Sequence, residues 1–262
     1  MTQLMQGKRG LIMGVANDKS IAWGIAKVLA EHGAELAFTY QGDQFGKRVE
    51  PLAASLGSSI VLPADVQDDA TLDTLFDTLK TQWGSIDFLV HAIAFSDKDE
   101  LTGRFVNTTR RNFSKSMEIS CYSLVDLTRR AAPLMKDGGS IVTLSYIGAQ
   151  RVTPNYNVMG VAKAALESAV RYLANDLGPD GIRVNAISAG PMRTLAGAAI
   201  GGARKVFRNG EENAPLRTNG TLESIGGTAL YLLSELGACT TGECVFVDGG
   251  FHITGMAQAE NL

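Results

Sequence analysis

Hydrophobic and polar positions follow two regular patterns that alternate along this chain. Short, largely apolar runs indicate buried strands. These predicted strands cover positions 10–15, 36–40, 59–62, 86–93, 140–146, 182–188 and 244–247. Between most of them, apolar residues recur every three to four positions, as in helices with one buried face. The predicted helices cover positions 20–32, 43–56, 109–135, 158–177 and 221–236, and one more carries the stripe Leu72, Leu75, Phe76 and Leu79.

This alternation predicts an α/β fold, a doubly wound parallel sheet of about seven strands with helices on both faces and right-handed crossovers. No repeat, low-complexity stretch or Pro/Ser-rich linker interrupts it, so we expect a single domain over positions 1–262. In such folds, ligands bind outside the carboxyl ends of the strands. The residues expected at that edge are Gly14, Gln41, Asp65, Ile93, Tyr146 and Gly190.

Composition and charge narrow the class of protein. The 262 residues are 45% hydrophobic and 19% charged, which suits a globular chain with a sizeable core. A formal net charge of -3 disfavours a general binder of nucleic acid or of anionic membranes. The cysteines Cys121, Cys239 and Cys244 match no metal-ligand spacing and favour reduced thiols, so we expect a cytoplasmic protein without a metal. No apolar run is long enough for a membrane span.

The turn after the first strand, GVANDKSIAWG at positions 14–24, departs from the Gly-x-Gly-x-x-Gly dinucleotide fingerprint but occupies its place. Gly14 permits a tight turn, and Ser20 can cap the following helix. Because the first N–H groups of a helix favour an anion, the turn suits a pyrophosphate. An ordinary tight turn with a capping serine is the alternative.

The ends of the second and third strands bear on the choice of cofactor. Gln41 stands where an acidic residue would bind the NAD ribose and an arginine would accommodate the NADP phosphate. The lack of a cation there favours NADH, with Lys47 and Arg48 close in sequence as the open alternative. Asp65 is either a turn residue or, together with the backbone of Val66, a hydrogen-bonding group for adenine.

Two tyrosines and a lysine form the most informative set of polar residues. Seven steps along a helix advance about 700°, which would place Lys163 on the same face as Tyr156. Tyr146 lies between the fifth strand and this helix, so two phenols and an ammonium can converge at the edge of the sheet. A nearby lysine stabilises a phenolate and makes the phenol a better proton or hydrogen-bond donor. Buried tyrosines with a snorkelling lysine are the alternative, which the position in a doubly wound sheet disfavours.

Several motifs together resemble the short-chain dehydrogenase/reductase superfamily along nearly the whole chain, and within it the enoyl-acyl-carrier-protein reductases of bacterial type II fatty acid synthesis. The strings are GVANDKSIAWGIA, AELAFTY, LSYIGA, YNVMGVAKAALE and RVNAISAGPMRTLA, with the Tyr-x6-Lys spacing of that branch. The sequence HAIA at 91–94 replaces the superfamily's usual Asn-Asn-Ala-Gly. Tyr146 replaces its usual catalytic serine, and Ser145 beside it leaves a serine role open. The resemblance implies a Rossmann-like fold.

The resemblance assigns roles to individual residues. It implies that the catalytic residues are Tyr146, Tyr156 and Lys163. It implies that the cofactor contacts are Gly14, Ser20, Ile21, Gln41, Asp65, Val66, Ile93, Lys163, Met192, Arg193, Thr194, Leu195 and Ala196. It implies that Ser96, Tyr146, Tyr156 and Met159 bind substrate.

The stretch TLAGAAIGGA at 194–203 is rich in small residues and lacks strong periodicity. The resemblance implies a mobile substrate lid at about 194–210, and a disordered surface loop is the alternative. Arg204, Lys205 and Arg208 follow at helical spacing on a chain that is acidic overall. They are either a solvated helix face or a docking edge for an acidic carrier protein.

The activity implied is NADH-dependent reduction of the trans-2 double bond of an enoyl thioester on acyl carrier protein, in fatty acid elongation. In it Tyr156 stabilises the enolate, Lys163 positions the cofactor and Tyr146 lines the acyl pocket. A carbonyl or alcohol dehydrogenase and a non-catalytic NAD sensor are the alternatives. The resemblance also implies a homotetramer.

Overall fold

The computed structural model describes residues 3–198 and 201–261. Its strands are β1 (Arg9–Met13), β2 (Glu35–Tyr40), β3 (Ile60–Pro63), β4 (Phe88–His91), β5 (Gly139–Ser145), β6 (Ile182–Ala189) and β7 (Cys244–Val247). They form a seven-stranded sheet in the order β3-β2-β1-β4-β5-β6-β7, and all neighbouring pairs are parallel. The strand order reverses between β1 and β4, which opens a crevice at the carboxyl edge there. The predicted α/β fold is confirmed.

Helices cover both faces of this sheet. They are α1 (Ile21–Glu31), α2 (Asp43–Ser55), α3 (Asp69–Trp83), α4 (Arg110–Met117), α5 (Ser123–Ala131), α6 (Val158–Leu177), α7 (Leu195–Ala198), α8 (Ala203–Asn213) and α9 (Leu222–Leu233). Successive strand residues point to opposite faces, so Leu11 and Met13 join one core while Ile12 joins the other. The first core packs against α3, α5 and α6, and the second against α1, α2 and α9. Two apolar layers therefore hold the sheet fixed while its carboxyl edge stays accessible.

One predicted helix is interrupted. The segment predicted as a helix over 109–135 forms α4, a π-helical turn at Glu118–Tyr122 and then α5. In this turn the Ser123 hydroxyl donates to the Ile119 carbonyl at 2.6 Å. The Ser120 hydroxyl accepts from the Phe95 N–H at 2.9 Å, which ties the turn to the loop after β4. Such turns interrupt α-helices most often at functional sites.

Within the described residues, no helix is both long and apolar enough to cross a membrane.

Candidate active site

The switch between β1 and β4 brings two strand ends into direct contact. Gly14 follows β1 with φ +100°, a conformation that L side chains rarely adopt. A Cβ at Gly14 would lie 2.0 Å from the carbonyl oxygen of Ala92, which follows β4. Glycine is therefore required for the close approach of these strand ends. The crevice begins at this point.

The start of α1 differs in one detail from the sequence-based expectation. Ser20 occupies the N-cap position, as predicted, but its side chain does not cap the helix. Its buried hydroxyl instead accepts hydrogen bonds from the N–H groups of Ala16 at 3.0 Å and Asn17 at 3.1 Å. The Ser20 carbonyl accepts from the N–H groups of Trp23 at 3.0 Å and Gly24 at 3.2 Å, whereas the Ser20 side chain leaves the N–H groups of Ile21 and Ala22 uncapped.

Gln41 and Asp65 meet at the ends of β2 and β3. The Gln41 amide donates to one Asp65 carboxylate oxygen at 2.8 Å, and the other oxygen accepts from the Gln67 N–H at 3.0 Å. Asp65 is thus a turn residue, as one reading proposed, and its half-exposed carboxylate still presents acceptor positions to a ligand. Val66 beside it is half-buried against the core.

Tyr156 lies just outside the helix on which the sequence pattern placed it. The helix α6 begins at Val158, and Asn157 before it has φ 37°. The argument from helical rotation was therefore wrong for Tyr156, although Lys163 does lie on α6. The rings of Tyr156 and Tyr146 pack edge to face with centroids 5.0 Å apart. Both phenols do converge at the carboxyl edge of the sheet.

Burial controls the acidity of both tyrosines. Burial raises the pKa of Tyr146 to about 12. It also raises the pKa of Tyr156, and the nearby Tyr146 and Glu167 raise that pKa further. The expectation that Lys163 would make Tyr156 more acidic is corrected here, because loss of hydration outweighs any effect of the lysine. Tyr156 is a neutral phenol near pH 7 and is suited to donate a hydrogen bond.

Lys163 is buried, with 6% of its surface exposed. Its Nζ donates to the Leu144 carbonyl on β5 at 2.7 Å. Burial lowers the pKa of the ammonium to about 8, with Cys121 and Glu167 acting in the opposite direction. The structure thus fixes a buried cation beside the end of β5, where nearby groups offset part of the effect of burial on its pKa.

His91 at the end of β4 is fully buried behind this cation. Its Nδ1 lies 2.8 Å from Thr143 Oγ1 and its Nε2 lies 2.8 Å from Ser123 Oγ. Both ring nitrogens therefore have hydroxyl partners inside the core. Burial, followed by the charge of Lys163, lowers the pKa of His91 to about 3, so the ring is neutral.

An apolar cluster adjoins the two tyrosines. It contains Leu101, Tyr156, Val158 and Met159, with Tyr146 packed against it. Ser96 lies in the loop after β4 and exchanges hydrogen bonds with the buried side chain of Asn112 on α4, at 3.1 and 3.3 Å. The cluster is a surface on which an acyl chain can lie.

The segment after β6 completes this side of the crevice. Met192 packs on the second core, and the exposed guanidinium of Arg193 lies 4.3 Å over the ring of Phe207 on α8. Thr194 Oγ1 accepts from the Gly197 N–H at 2.9 Å at the start of α7, the helix that also contains Leu195 and Ala196. Gly201 O accepts from the Asn155 amide at 2.7 Å, which attaches the segment to the turn before Tyr156. Positions 199 and 200 of the predicted lid lie outside the described residues.

The predicted basic edge lies on α8. Arg204, Lys205 and Arg208 are all exposed on this helix.

Sequence reasoning missed three side chains that shape the site. Asn112 holds the loop of Ser96, Phe207 stacks under Arg193, and Glu167 accepts from Ser145 Oγ at 2.6 Å. That last bond engages the Ser145 hydroxyl with a buried carboxylate. The four-residue step from Lys163 to Glu167 was a signal that could have been used, since such residues share one helix face.

The residues at the crevice fit a nicotinamide dinucleotide. The start of α1 offers N–H donors for a pyrophosphate, and Asp65 offers an acceptor for an adenine amino group. The Lys163 ammonium offers a donor for ribose hydroxyls. The described residues hold no cluster of three or more His, Cys, Asp or Glu side chains arranged for a metal.

Comparisons with known proteins agree with this geometry. A family model described as enoyl-(acyl carrier protein) reductase matches residues 14–252. The enoyl-(acyl-carrier-protein) reductase (NADH) 2 of Rhizobium meliloti is 60% identical over 262 residues, covering 100% of this chain and 98% of that protein. The crystal structure of the Anaplasma phagocytophilum enoyl-(acyl-carrier-protein) reductase with NAD shares 57% identity and a TM-score of 0.96, with 99% of each chain covered. The Bacillus cereus enoyl-acyl carrier protein reductase with NADP+ and indole naphthyridinone shares 50% identity and a TM-score of 0.95, covering 98% of this chain and 100% of that one.

Proposed function

Because the chain belongs to the enoyl-(acyl carrier protein) reductase family, we propose that Tyr156 and Lys163 carry out its chemistry at the crevice between β1 and β4. The chain is an NADH-dependent enoyl-(acyl-carrier-protein) reductase of fatty acid synthesis. It reduces the trans-2 double bond of an enoyl thioester. The observation that carries the assignment of residues is the packing of a neutral, buried Tyr156 against Tyr146, beside an apolar cluster and a buried ammonium.

Tyr156 acts on the charge that develops on the substrate. NADH, when bound, supplies the hydride that is added to the β-carbon. Negative charge then builds on the thioester oxygen, and the Tyr156 hydroxyl donates a hydrogen bond to it. A proton then adds to the α-carbon of this enolate, which gives the saturated thioester. A donor fixed in a dry site stabilises such an oxyanion more than water does, because no reorganisation is needed. Tyr146 lines the acyl pocket with Met159, and Ser96 contacts the substrate from the loop after β4.

Lys163 has a binding and an electrostatic role. Its ammonium donates to the hydroxyls of the nicotinamide ribose and adds positive potential near the reacting carbonyl. The remaining proposed cofactor contacts are Gly14, Ser20, Ile21, Gln41, Asp65, Val66, Ile93, Met192, Arg193, Thr194, Leu195 and Ala196. Gln41 favours NADH over NADPH, because an amide bound to Asp65 offers no charge to a 2′-phosphate.

The protein-borne substrate requires a docking surface. We propose that Arg204, Lys205 and Arg208 attract the acidic carrier protein, and that the described parts of the lid, 194–198 and 201–210, cover the acyl chain. The bond between Asn155 and Gly201 supports this, since it places the second part next to the Tyr156 turn. We further propose a homotetramer that works in the cytoplasm.

The test follows the loss of NADH absorbance with crotonyl and longer enoyl thioesters, each assayed with NADH and with NADPH. We expect turnover of enoyl thioesters and a higher kcat/KM with NADH. Turnover of keto or hydroxy compounds alone would indicate a carbonyl or alcohol dehydrogenase. Cofactor binding without any turnover would indicate a sensor, and a higher kcat/KM with NADPH would overturn the role of Gln41.

A further inference from the structure

A buried acidic residue lies one helical turn beyond the active-site lysine. Glu167 is 7% exposed on α6, and its carboxylate meets three side-chain partners. One oxygen accepts from Ser145 Oγ at 2.6 Å and from Cys244 Sγ at 3.4 Å. The other accepts from the Gln150 amide at 3.3 Å. Since all three partners act as donors, they suit an ionised carboxylate, which has acceptor atoms only.

Glu167 and Lys163 hold consecutive groups of the same strand. Lys163 donates to the carbonyl of Leu144, and Glu167 accepts from the hydroxyl of Ser145, the next residue of β5. Tyr146 follows immediately. A buried cation and a buried anion on one face of α6 therefore hold the end of β5 from which Tyr146 enters the site.

We propose that Glu167 is a positioning residue for the reduction. Its buried carboxylate keeps Lys163 in the ammonium form at the working pH and fixes the strand end before Tyr146. This inference rests on the role proposed above for Lys163. Glu167 does not touch the reacting atoms and acts through its neighbours.

The groups that face Lys163 leave Glu167 as the anion that balances it. His91 on β4 is neutral, because its pKa is lowered to about 3. Cys121 in the π-helical turn stays a thiol, because burial raises its pKa. Tyr146 and Tyr156 are neutral phenols for the same reason. The other described group that raises the pKa of Lys163 is the carboxylate of Glu167, one helical turn away on α6.

The groups that face Glu167 are consistent with this role. Burial and the carboxylate together raise the pKa of Cys244 on β7 to about 12, so that thiol is a neutral donor. Arg171, one turn further along α6, and Glu243, before β7, act on Cys244 with opposite signs. Lys163 is the buried cation one turn before Glu167 on α6.

The sign of the expected pH dependence follows from the ammonium. Burial already lowers the pKa of Lys163 to about 8, and the carboxylate opposes this shift. Removal of the carboxylate charge therefore lowers this pKa further, and the ammonium is lost as the pH rises through the neutral range. Activity should fall most at high pH and least at low pH.

The test compares pH profiles of kcat/KM for the parent and Glu167→Gln, with a crotonyl thioester and saturating NADH. We expect the pKa at which kcat/KM falls on the basic side of the profile to be lower by about one unit in Glu167→Gln. This corresponds to about a tenfold loss of kcat/KM at high pH and less than about a twofold loss at low pH. Glu31→Gln, which neutralises an exposed carboxylate on α1, is the matched control and should leave the profile unchanged. A Glu167→Gln profile that superimposes on the parent, or that is lower by one factor at every pH, overturns the proposal.

Two further variants separate the possible causes. Glu167→Asp retains the carboxylate, so the pKa on the basic side of its profile should stay within about 0.3 unit of the parent value. A shift of this pKa by a full unit contradicts the proposal, and this variant provides the test if Glu167→Gln does not fold. Lys163→Met tests the underlying role of the lysine. If it loses NADH affinity while Glu167→Gln behaves like the parent, only the inference about Glu167 fails. If Lys163→Met binds and turns over NADH normally, both the proposed role of Lys163 and the inference about Glu167 fail.

Discussion

The buried polar centre, formed by His91, Lys163 and Glu167, contrasts with the lid segment, by which we mean the described residues 194–198 and 201–210 of the proposed lid. The polar centre is almost completely buried, and its hydrogen bonds connect β4, β5, β7 and the first residue of α5. The lid segment is largely exposed and is attached by a few contacts, such as Asn155 to Gly201. The comparison teaches that the same catalytic edge combines a rigid electrostatic core with a surface that can adapt to its ligand.

This difference has a physical cause. In the polar centre, each buried polar group costs free energy unless it has a partner, so its geometry is tightly specified. In the lid segment, polar side chains are hydrated and their pairwise contacts contribute little. Substitutions in the first region should therefore affect chemistry and cofactor binding, while those in the second should affect partner recognition.

The largest effect is expected at Tyr156, next to the buried polar centre. Tyr156→Phe removes the donor to the thioester oxygen and keeps the ring that packs on Tyr146. We expect kcat to fall about 10²- to 10³-fold, as for the loss of one oxyanion donor. Stopped-flow or steady-state NADH oxidation measures this, with circular dichroism as a check on folding. Tyr146→Phe should cost less, and an equal loss in both variants would assign proton transfer to Tyr146 as well.

A smaller effect on binding is expected for the lysine itself. Lys163→Met should weaken NADH about 10- to 100-fold, because a hydrogen bond from a charged group contributes about 1.5 to 3 kcal/mol. Titration of NADH fluorescence measures the Kd. The melting temperature should fall, because the buried Leu144 carbonyl loses its donor and the buried Glu167 carboxylate loses the nearby cation. Unchanged NADH affinity would remove Lys163 from the cofactor site.

The first test on the lid segment concerns its basic edge. Changing Arg204, Lys205 and Arg208 together to Ala should raise KM for carrier-borne enoyl substrates about three- to tenfold at low salt, and less at high salt. A short enoyl thioester without phosphates should be unaffected. Changing the exposed Lys27, Lys80 and Lys136 to Ala alters charge equally and is the control. Equal losses with both substrates would show that the edge supports the fold instead of docking a partner.

The smallest effect is expected at the contact between Phe207 in the lid segment and Arg193 just before it. Phe207→Leu removes the contact with Arg193 and keeps an apolar side chain. An exposed cation–π contact contributes about 0.5 to 1 kcal/mol, so limited proteolysis within α8 should become about two- to fivefold faster. Turnover of a short thioester should change less than that. An unchanged cleavage rate would mean that the Arg193 contact does not order the segment.

Different parts of the molecule were predictable to different degrees. The strand ends at Gly14, Gln41 and Asp65 could be placed from the sequence, because a parallel sheet brings its carboxyl ends to one edge. The position of Tyr156 outside α6 could not, since the positive φ of the intervening Asn157 accompanies long-range contacts such as its amide bond to the Glu100 carbonyl at 3.2 Å. The π-helical turn could not be predicted from the sequence either, because its polar side chains bond to residues distant in the chain, such as Phe95.

The sequence by itself determined the α/β fold, the place of the crevice and the candidates for the reactive side chains. These follow from local periodicity and from motifs that lie within short stretches of chain. Only the tertiary structure decided their ionisation and their partners. It makes Tyr156 a neutral donor, lowers the pKa of Lys163 to about 8, and turns Ser145 toward Glu167. The reason is that pKa values and hydrogen-bond choices depend on dehydration and on charges contributed by elements far apart in the chain.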